Sequence, residues 1–273
     1  MSKTWFITGA SRGFGRRFAE AALQRGDRVA ATARDSAALT DLSSQYGEAV
    51  LPLTLDVTDR AGVKRAVNHA HDHFGRLDVI VNNAGSGLMG VVEDLTEDAL
   101  RAQFEVNVFA PLWVTQAALP HLRSQGSGHI VMLSSLLGVA AFPTTGGYSA
   151  SKAALEAYSE SLAQEVSGFG VKVTIVEPGA FNTGFSANAT YSTPSPDYAQ
   201  VHETVGAAFA TFPSPDPAGV GAALLDVVDA EDAPLRVFFG TFGLQTVEPL
   251  YAQRLATWKS AAAISAKAET VPA

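Results

Sequence analysis

Two hundred and seventy-three residues, 47% hydrophobic and 17% charged, supply ample apolar material for a large core and exclude a chain disordered throughout. Nineteen Lys and Arg against 27 Asp and Glu leave a formal charge of −8, the wrong balance for a nucleic-acid surface. The absence of cysteine excludes disulfides, thiolate zinc sites and a Cys nucleophile.

From the N-terminus, Met1-Ser2-Lys3-Thr4-Trp5-Phe6-Ile7-Thr8-Gly9 reads as an apolar strand entering a glycine turn, without the apolar core of a signal peptide. No unbroken apolar run approaches the roughly 18 residues of a membrane span, so the expectation is a cytoplasmic protein. Strands are predicted at 3–8, 28–33, 50–55, 77–82, 129–134, 171–177 and 235–239, with helices among them at 13–25, 59–74, 97–124, 148–168 and 216–229. Runs such as Val79-Ile80-Val81 and Ile130-Val131-Met132-Leu133 lack polar alternation, as strands buried on both faces do. The βα order therefore predicts one α/β domain over 1–273, a doubly wound, mostly parallel seven-stranded sheet with helices on both faces. Residues 181–217, with Pro194, Pro196, Pro213, Pro215 and Pro217, break the rhythm and read as a substrate loop or lid. The tail, 262–273, is expected to fray.

The first strand runs into Thr8-Gly9-Ala10-Ser11-Arg12-Gly13-Phe14-Gly15 and then a helical pattern. Glycines allow a tight turn and close approach of a ligand, and a helix N-terminus offers N–H groups to a pyrophosphate. Taken alone, the turn is equally an ordinary strand-to-helix connection. Further on stand Asn82-Asn83-Ala84-Gly85, Tyr148-x-x-x-Lys152 and Pro178-Gly179. These four motifs, in this order across residues 4–183, resemble the short-chain dehydrogenase/reductase family, with a Rossmann-like fold.

The resemblance implies a dinucleotide site built from Gly9, Ser11, Arg12, Gly13, Phe14 and Gly15 in the turn, with Asp56 and Val57 against the adenine. Asn83, Ala84 and Gly85, then Pro178, Gly179 and Thr183, complete it beside Tyr148 and Lys152. Charge bears on which dinucleotide. Small Ala33 stands where an acid would accept from a ribose 2′-hydroxyl, Arg34 follows it, and Asp35 falls too late in the register. Arg12 or Arg34 singly reads as a solvated surface cation; together they favour a 2′-phosphate, and so NADP(H).

Tyr148 and Lys152 lie one helical turn apart, and a neighbouring ammonium would lower the phenol's pKa from about 10 toward the working pH. The resemblance makes Tyr148 the proton donor to a carbonyl and Lys152 the residue that also holds the nicotinamide ribose. The family's serine lies thirteen residues before the tyrosine, which selects Ser135; Ser134 is expected to support the turn. Pro111 removes a donor from the Asn107 carbonyl and kinks its helix, which serves the family's lysine–water–asparagine relay or is a packing kink alone. Phe181 and Phe185 head an aromatic set, with Tyr191, Tyr198, Phe209 and Phe212, in a segment without Lys or Arg, which suits an apolar ketone or aldehyde.

His69-Ala70-His71-Asp72-His73 puts only His69 and His73 on one helix face with no third ligand, so no metal is expected. A Gly-x-Ser-x-Gly elbow is missing, against a serine hydrolase. The expectation is an NADPH-dependent carbonyl reductase, reversible to an alcohol dehydrogenase. A noncatalytic NADP-binding sensor and a related lyase or epimerase are the alternatives. The apolar surface of the helix after Tyr148, including Ala153, Ala154, Leu155, Ala157 and Tyr158, either covers the sheet or pairs copies into a homodimer or homotetramer, as the family does.

Overall fold

The strand β1 (Thr4–Ile7) sets the architecture, because its side chains alternate between two fully apolar environments. Trp5 and Ile7 enter one core cluster and Phe6 the other, all completely buried. A computed structural model describes residues 2–269. Seven strands form one parallel sheet in the order β3-β2-β1-β4-β6-β7-β9. Besides β1 these are β2 (Arg28–Ala33), β3 (Val50–Thr54), β4 (Val79–Asn82), β6 (Gly128–Leu133), β7 (Val171–Pro178) and β9 (Arg236–Phe239). All seven fall within or against the predicted runs.

One face of the sheet is covered by α1 (Gly13–Gln24) and α9 (Val220–Asp229), whose Phe14, Phe18, Leu224 and Val228 join the first core cluster. The opposite face carries α3 (Arg60–Phe74), α5 (Ala110–Gln125) and α7 (Gly146–Val166), with Val67, Val114, Leu122, Leu155 and Leu162 in the second. The apolar side of α7 thus covers the sheet through Leu155, Leu162 and Val166, while Ala153 and Ala157 remain exposed.

Three predicted stretches take a different form. The helix expected over 97–124 is α4 (Glu97–Phe104), a π-helical turn at Glu105–Phe109, then α5. Pro111 has no N–H for the Asn107 carbonyl, so the chain widens to an i→i+5 pattern just before it. The segment 181–217 is not wholly loop. It contains a helix, α8 (Ala199–Ala210), and a short strand, β8 (Thr190–Tyr191), pairing with β5 (Leu88–Met89). Where fraying was expected, α10 (Phe242–Ser260) continues into α11 (Ala262–Ala268); positions 270–273 of that predicted tail lie outside the described residues. The two remaining short helices are α2 (Thr40–Tyr46) and α6 (Leu136–Val139).

Candidate active site

Strand order reverses at β1, which lies between β2 and β4, and a crevice opens where the loops leave the C-terminal strand ends. A cavity of about 1130 Å³ runs along this edge. Its walls come from the glycine turn, the ends of β2, β4, β6 and β7, the start of α7, and the 181–217 segment.

At the turn, Gly9 and Gly13 take φ of +67° and +57°, which a side chain would strain. The Thr8 hydroxyl accepts from the N–H groups of Asn83 and Ala84, each at 2.9 Å, and ties the turn to the end of β4. The Asn83 amide donates to the Thr8 carbonyl at 2.8 Å and the Gly9 carbonyl at 3.1 Å. Asn83 therefore borders the cavity with its side chain already committed to the turn. Gly15 does not border the cavity: a Cβ there would meet Asn83 Nδ2 and Gly9 O at 2.4 Å, so its role is close packing. The N-terminus of α1 has no side-chain cap and no acid in its first turn, leaving N–H groups and a positive dipole for an anion.

Ser11, Arg12, Phe14, Arg34, Asp56 and Val57 border the same end. Asp35 borders this end as well, and one oxygen of its carboxylate caps a turn by accepting from Ala37 N–H at 2.9 Å. Thr58, by hydrogen bonding, and the Arg34 charge hold the Asp56 carboxyl below its usual range. Arg12 donates to Asn188 Oδ1 at 2.9 Å, so the 181–217 segment reaches back over the glycine turn.

Ala84, Gly85, Pro178, Gly179 and Thr183 lead toward the middle of the cavity, where Ser135, Tyr148 and Lys152 converge. Ser135 sits at the end of β6 and begins α6, its Oγ accepting from Leu137 N–H at 3.1 Å. Tyr148 is buried in the first turn of α7, its ring 5.6 Å from that of Phe185. Burial pushes its phenol up to about 12, while hydrogen bonding with Ser135 pulls the other way. This reverses the direction expected from a nearby ammonium. Lys152 Nζ instead donates to the Leu133 carbonyl at 2.6 Å, and burial draws its own pKa down to about 8.

Asn107 lies behind the cavity wall. Its Oδ1 accepts from Ser86 N–H at 2.9 Å, and its Nδ2 donates to Ser86 O at 3.0 Å and Ser151 Oγ at 3.1 Å. A Cβ on Gly85 would make ordinary contacts at 3.4 Å with Asn107 Oδ1 and 3.6 Å with Lys152 Nζ, so this glycine lies directly beside both groups.

The far wall is aromatic. Phe185, Tyr191, Phe209 and Phe212 border it, and Phe181 does so while also packing edge-on against Phe14 at 5.2 Å. Tyr198 does not: its hydroxyl donates to Glu93 on the outer surface. Sequence reasoning missed three contributors. The α8 residues His202, Val205 and Gly206 join the expected Phe209 at helical spacing along the wall. Thr144 borders it with φ of +66°. Glu156, one turn beyond Lys152, is buried and accepts from Ser134 and from Arg236. Its spacing of i+4 from Lys152 and i+8 from Tyr148 was the available signal. Around the predicted histidine cluster, His71 stacks on His121 at 4.0 Å, while His69 and His73 are exposed.

Residues 3–193 match the family described as short chain dehydrogenase. The chain belongs to the short-chain dehydrogenases. An oxidoreductase of Botryotinia fuckeliana, "Oxidoreductase BOA17", is 41% identical over 248 residues, covering 88% of this chain and 89% of that protein. The crystal structure of a short-chain dehydrogenase from Streptomyces avermitilis is similar at a TM-score of 0.92 with 40% identity, covering 98% of each chain. Another, from Burkholderia cenocepacia J2315 in complex with NADP, has a TM-score of 0.77 and 29% identity, covering 94% of this chain and 95% of that one. Membership places the protein among oxidoreductases acting on carbonyl and alcohol groups. As a short-chain dehydrogenase it fits an NAD(P)-type dinucleotide on its own geometry: positive-φ glycines, an uncapped α1 N-terminus and one continuous cavity from there to Tyr148. Among the described residues no helix is long and apolar enough to cross a membrane.

Proposed function

We propose that this short-chain dehydrogenase is an NADP(H)-dependent carbonyl reductase, working reversibly on an apolar ketone or aldehyde. The observation that carries the reading is the single cavity with Arg12 and Arg34 at one end and Ser135, Tyr148 and Lys152 in the middle. The bound cofactor supplies hydride in reduction and accepts it in oxidation. The protein's own work is to hold and protonate the substrate oxygen. The Ser135 hydroxyl orients that oxygen, and the Tyr148 hydroxyl gives it a proton, with the phenol kept in its acid form by burial. Lys152, cationic below about pH 8, steadies the developing phenolate and holds the ribose side of the cofactor. Asn107 braces the Ser86–Ser151 wall, and its main chain, denied a donor by Pro111, is the relay point for a water. The aromatic wall of Phe181, Phe185, Phe209 and Phe212, in a segment without Lys or Arg, supports an uncharged, apolar substrate.

NADP(H) preference is supported by Arg12 and Arg34 bordering the end where a 2′-phosphate would lie, and by the NADP complex of the Burkholderia relative. Dissociation constants for NADPH and NADH, with wild type and Arg34→Ala, test this. The substitution is expected to weaken NADPH about ten- to a hundredfold and leave NADH nearly unchanged. Tighter binding of NADH by wild type would overturn the preference. A turnover panel of aryl and alicyclic ketones, short keto acids and sugar phosphates then tests the substrate class. Preference for an anion would overturn the apolar reading, and no turnover of any carbonyl would favour the sensor.

A further inference from the structure

Among the long helices on the outside of the fold, α10 is sparsely supported. It runs for 19 residues and buries only Gly243. Its inner side is held by few contacts: Phe242 packs on Phe212 at 4.8 Å, and Arg254 donates to the Val139 carbonyl at 3.0 Å. Pro249 inside it removes one further helical hydrogen bond. In proteins the stability of a helix comes mostly from tertiary packing of an amphipathic face rather than from its own propensity.

The outer side is apolar. Leu244, Tyr251, Leu255 and Trp258 recur at intervals of seven, four and three residues and so share one face. Ile264 of α11 extends the apolar surface, and the five side chains are between 42 and 75% exposed. Scattered single exposures need no explanation, but a contiguous stripe with a Trp and a Tyr marks an interaction surface.

Charge beside the stripe indicates what covers it. Glu248 and Lys259 lie on the same flank, one before the centre of the stripe and one after it. Neither side chain has a hydrogen-bond or ion-pair partner among the described residues. Arg254, on the other flank, is already occupied by the Val139 carbonyl and by the ring of Tyr251. We infer that the α10 face is covered by α10 of a second copy of this chain, packed antiparallel about a two-fold axis near residue 253. In that arrangement Tyr251 meets the partner's Leu255, and Glu248 meets the partner's Lys259. Each contact occurs twice by symmetry, as an isologous interface requires. Antiparallel helices pair like flanks, which is why two residues of opposite charge on one flank satisfy each other. The surface is distinct from α7 and leaves the cavity residues outside the contact, including Phe242 on the inner side of α10.

Because the chain has no cysteine, the register can be read by cross-linking. Glu248→Cys and Lys259→Cys are made as separate preparations and treated with a short bismaleimide. A mixture of the two is expected to give covalent dimers, and neither alone. Cross-linking of Glu248→Cys with itself would overturn the antiparallel register. Sedimentation of full-length wild type is expected to show association that Leu255→Glu weakens about tenfold or more, while Gln253→Glu on the opposite face leaves it unchanged. Glu248→Lys and Lys259→Glu should each weaken it, and the two together restore it. These exposed positions lie outside the core, and circular dichroism and turnover verify that the variants fold. A wild type that sediments as a monomer, or an assembly indifferent to all these changes, would overturn the proposal. So would a monomer that co-sediments with anionic phospholipid vesicles, which would give the face to a lipid surface.

Discussion

Tyr148 and Lys152 are displaced in opposite directions by one cause, loss of water around both groups. The phenol, at about 12, stays protonated across the neutral range, which suits an acid in carbonyl reduction. The ammonium, at about 8, begins to lose its charge within the accessible range. Reductase kcat/KM is therefore expected to be level below about pH 8 and to fall above it, with Lys152 the group that titrates. A profile level to pH 10 would show that the ammonium charge is not needed. Tyr148→Phe should keep cofactor affinity and lose about 10²–10⁴-fold in turnover, since only the transferable proton is removed. The adjacent serines should separate. Ser135→Ala is expected to impair turnover, because its side chain hydrogen-bonds with the Tyr148 phenol at the cavity. Ser134→Ala removes a donor from the buried Glu156 carboxylate and should lower stability by about 1–3 kcal/mol with turnover largely retained.

At the scale of elements, the approach to α7 is strained and its neighbour is widened. Thr144 is a β-branched residue in the left-handed region, at φ of +66°, two residues before α7 begins. Its carbonyl accepts from Gly90 N–H at 2.8 Å, which pins the loop against the segment that carries β5. The side chain makes no hydrogen bond, so Thr144→Gly loses only packing and relieves the backbone. A gain of about 1 kcal/mol, or roughly 2–4 °C in melting temperature, is expected. A lower melting temperature would mean that the Thr144 side chain holds the loop. The π-turn at Glu105–Phe109 is the corresponding device on the other side of the site, placing Asn107 against Ser86 and Ser151.

For the molecule as a whole, two buried groups on neighbouring strands make stability respond to acid in opposite senses. His129 of β6 is held down to about 4 by burial, then by the charges of Lys172 and Lys3. Below about pH 6.5 the unfolded chain takes up a proton there that the folded one refuses, so this contribution is lost as pH falls toward 4. Glu177 of β7 is raised to about 7 by burial, then by Glu156, although Arg236 opposes the shift. Its contribution is present below its ordinary value of 4.5 and lost as pH rises through 7. Denaturant midpoints between pH 4 and 7.5 should therefore fall more steeply on acidification in Glu177→Gln than in wild type. In His129→Asn they should fall less, or rise. Parallel curves for all three proteins would refute both assignments.

Wherever the physics is local, the sequence determined the answer. Unbroken apolar runs fixed the strands of a parallel sheet, because burial on both faces leaves no polar alternation, and Pro111 announced the distortion at Asn107 through its missing N–H. The motif spacings that resemble the family identified Ser135, Tyr148 and Lys152 before any of them could be seen to share a cavity. Tertiary structure alone decided what depends on distant neighbours. The Tyr148 phenol moved up rather than down because burial outweighs its hydrogen bond with Ser135, while the Lys152 ammonium is engaged by the Leu133 carbonyl. Gly15 and Asn83 proved to pack and tie the turn, contacts made between β1 and β4, some 75 residues apart in sequence. Tyr198 faces outward, α8 turns His202 and Phe209 inward, and Glu156 finds Ser134 across the fold. Composition and spacing state which side chains are available; only the packing of sheet against helix determines which of them lose their water and which partners they find instead.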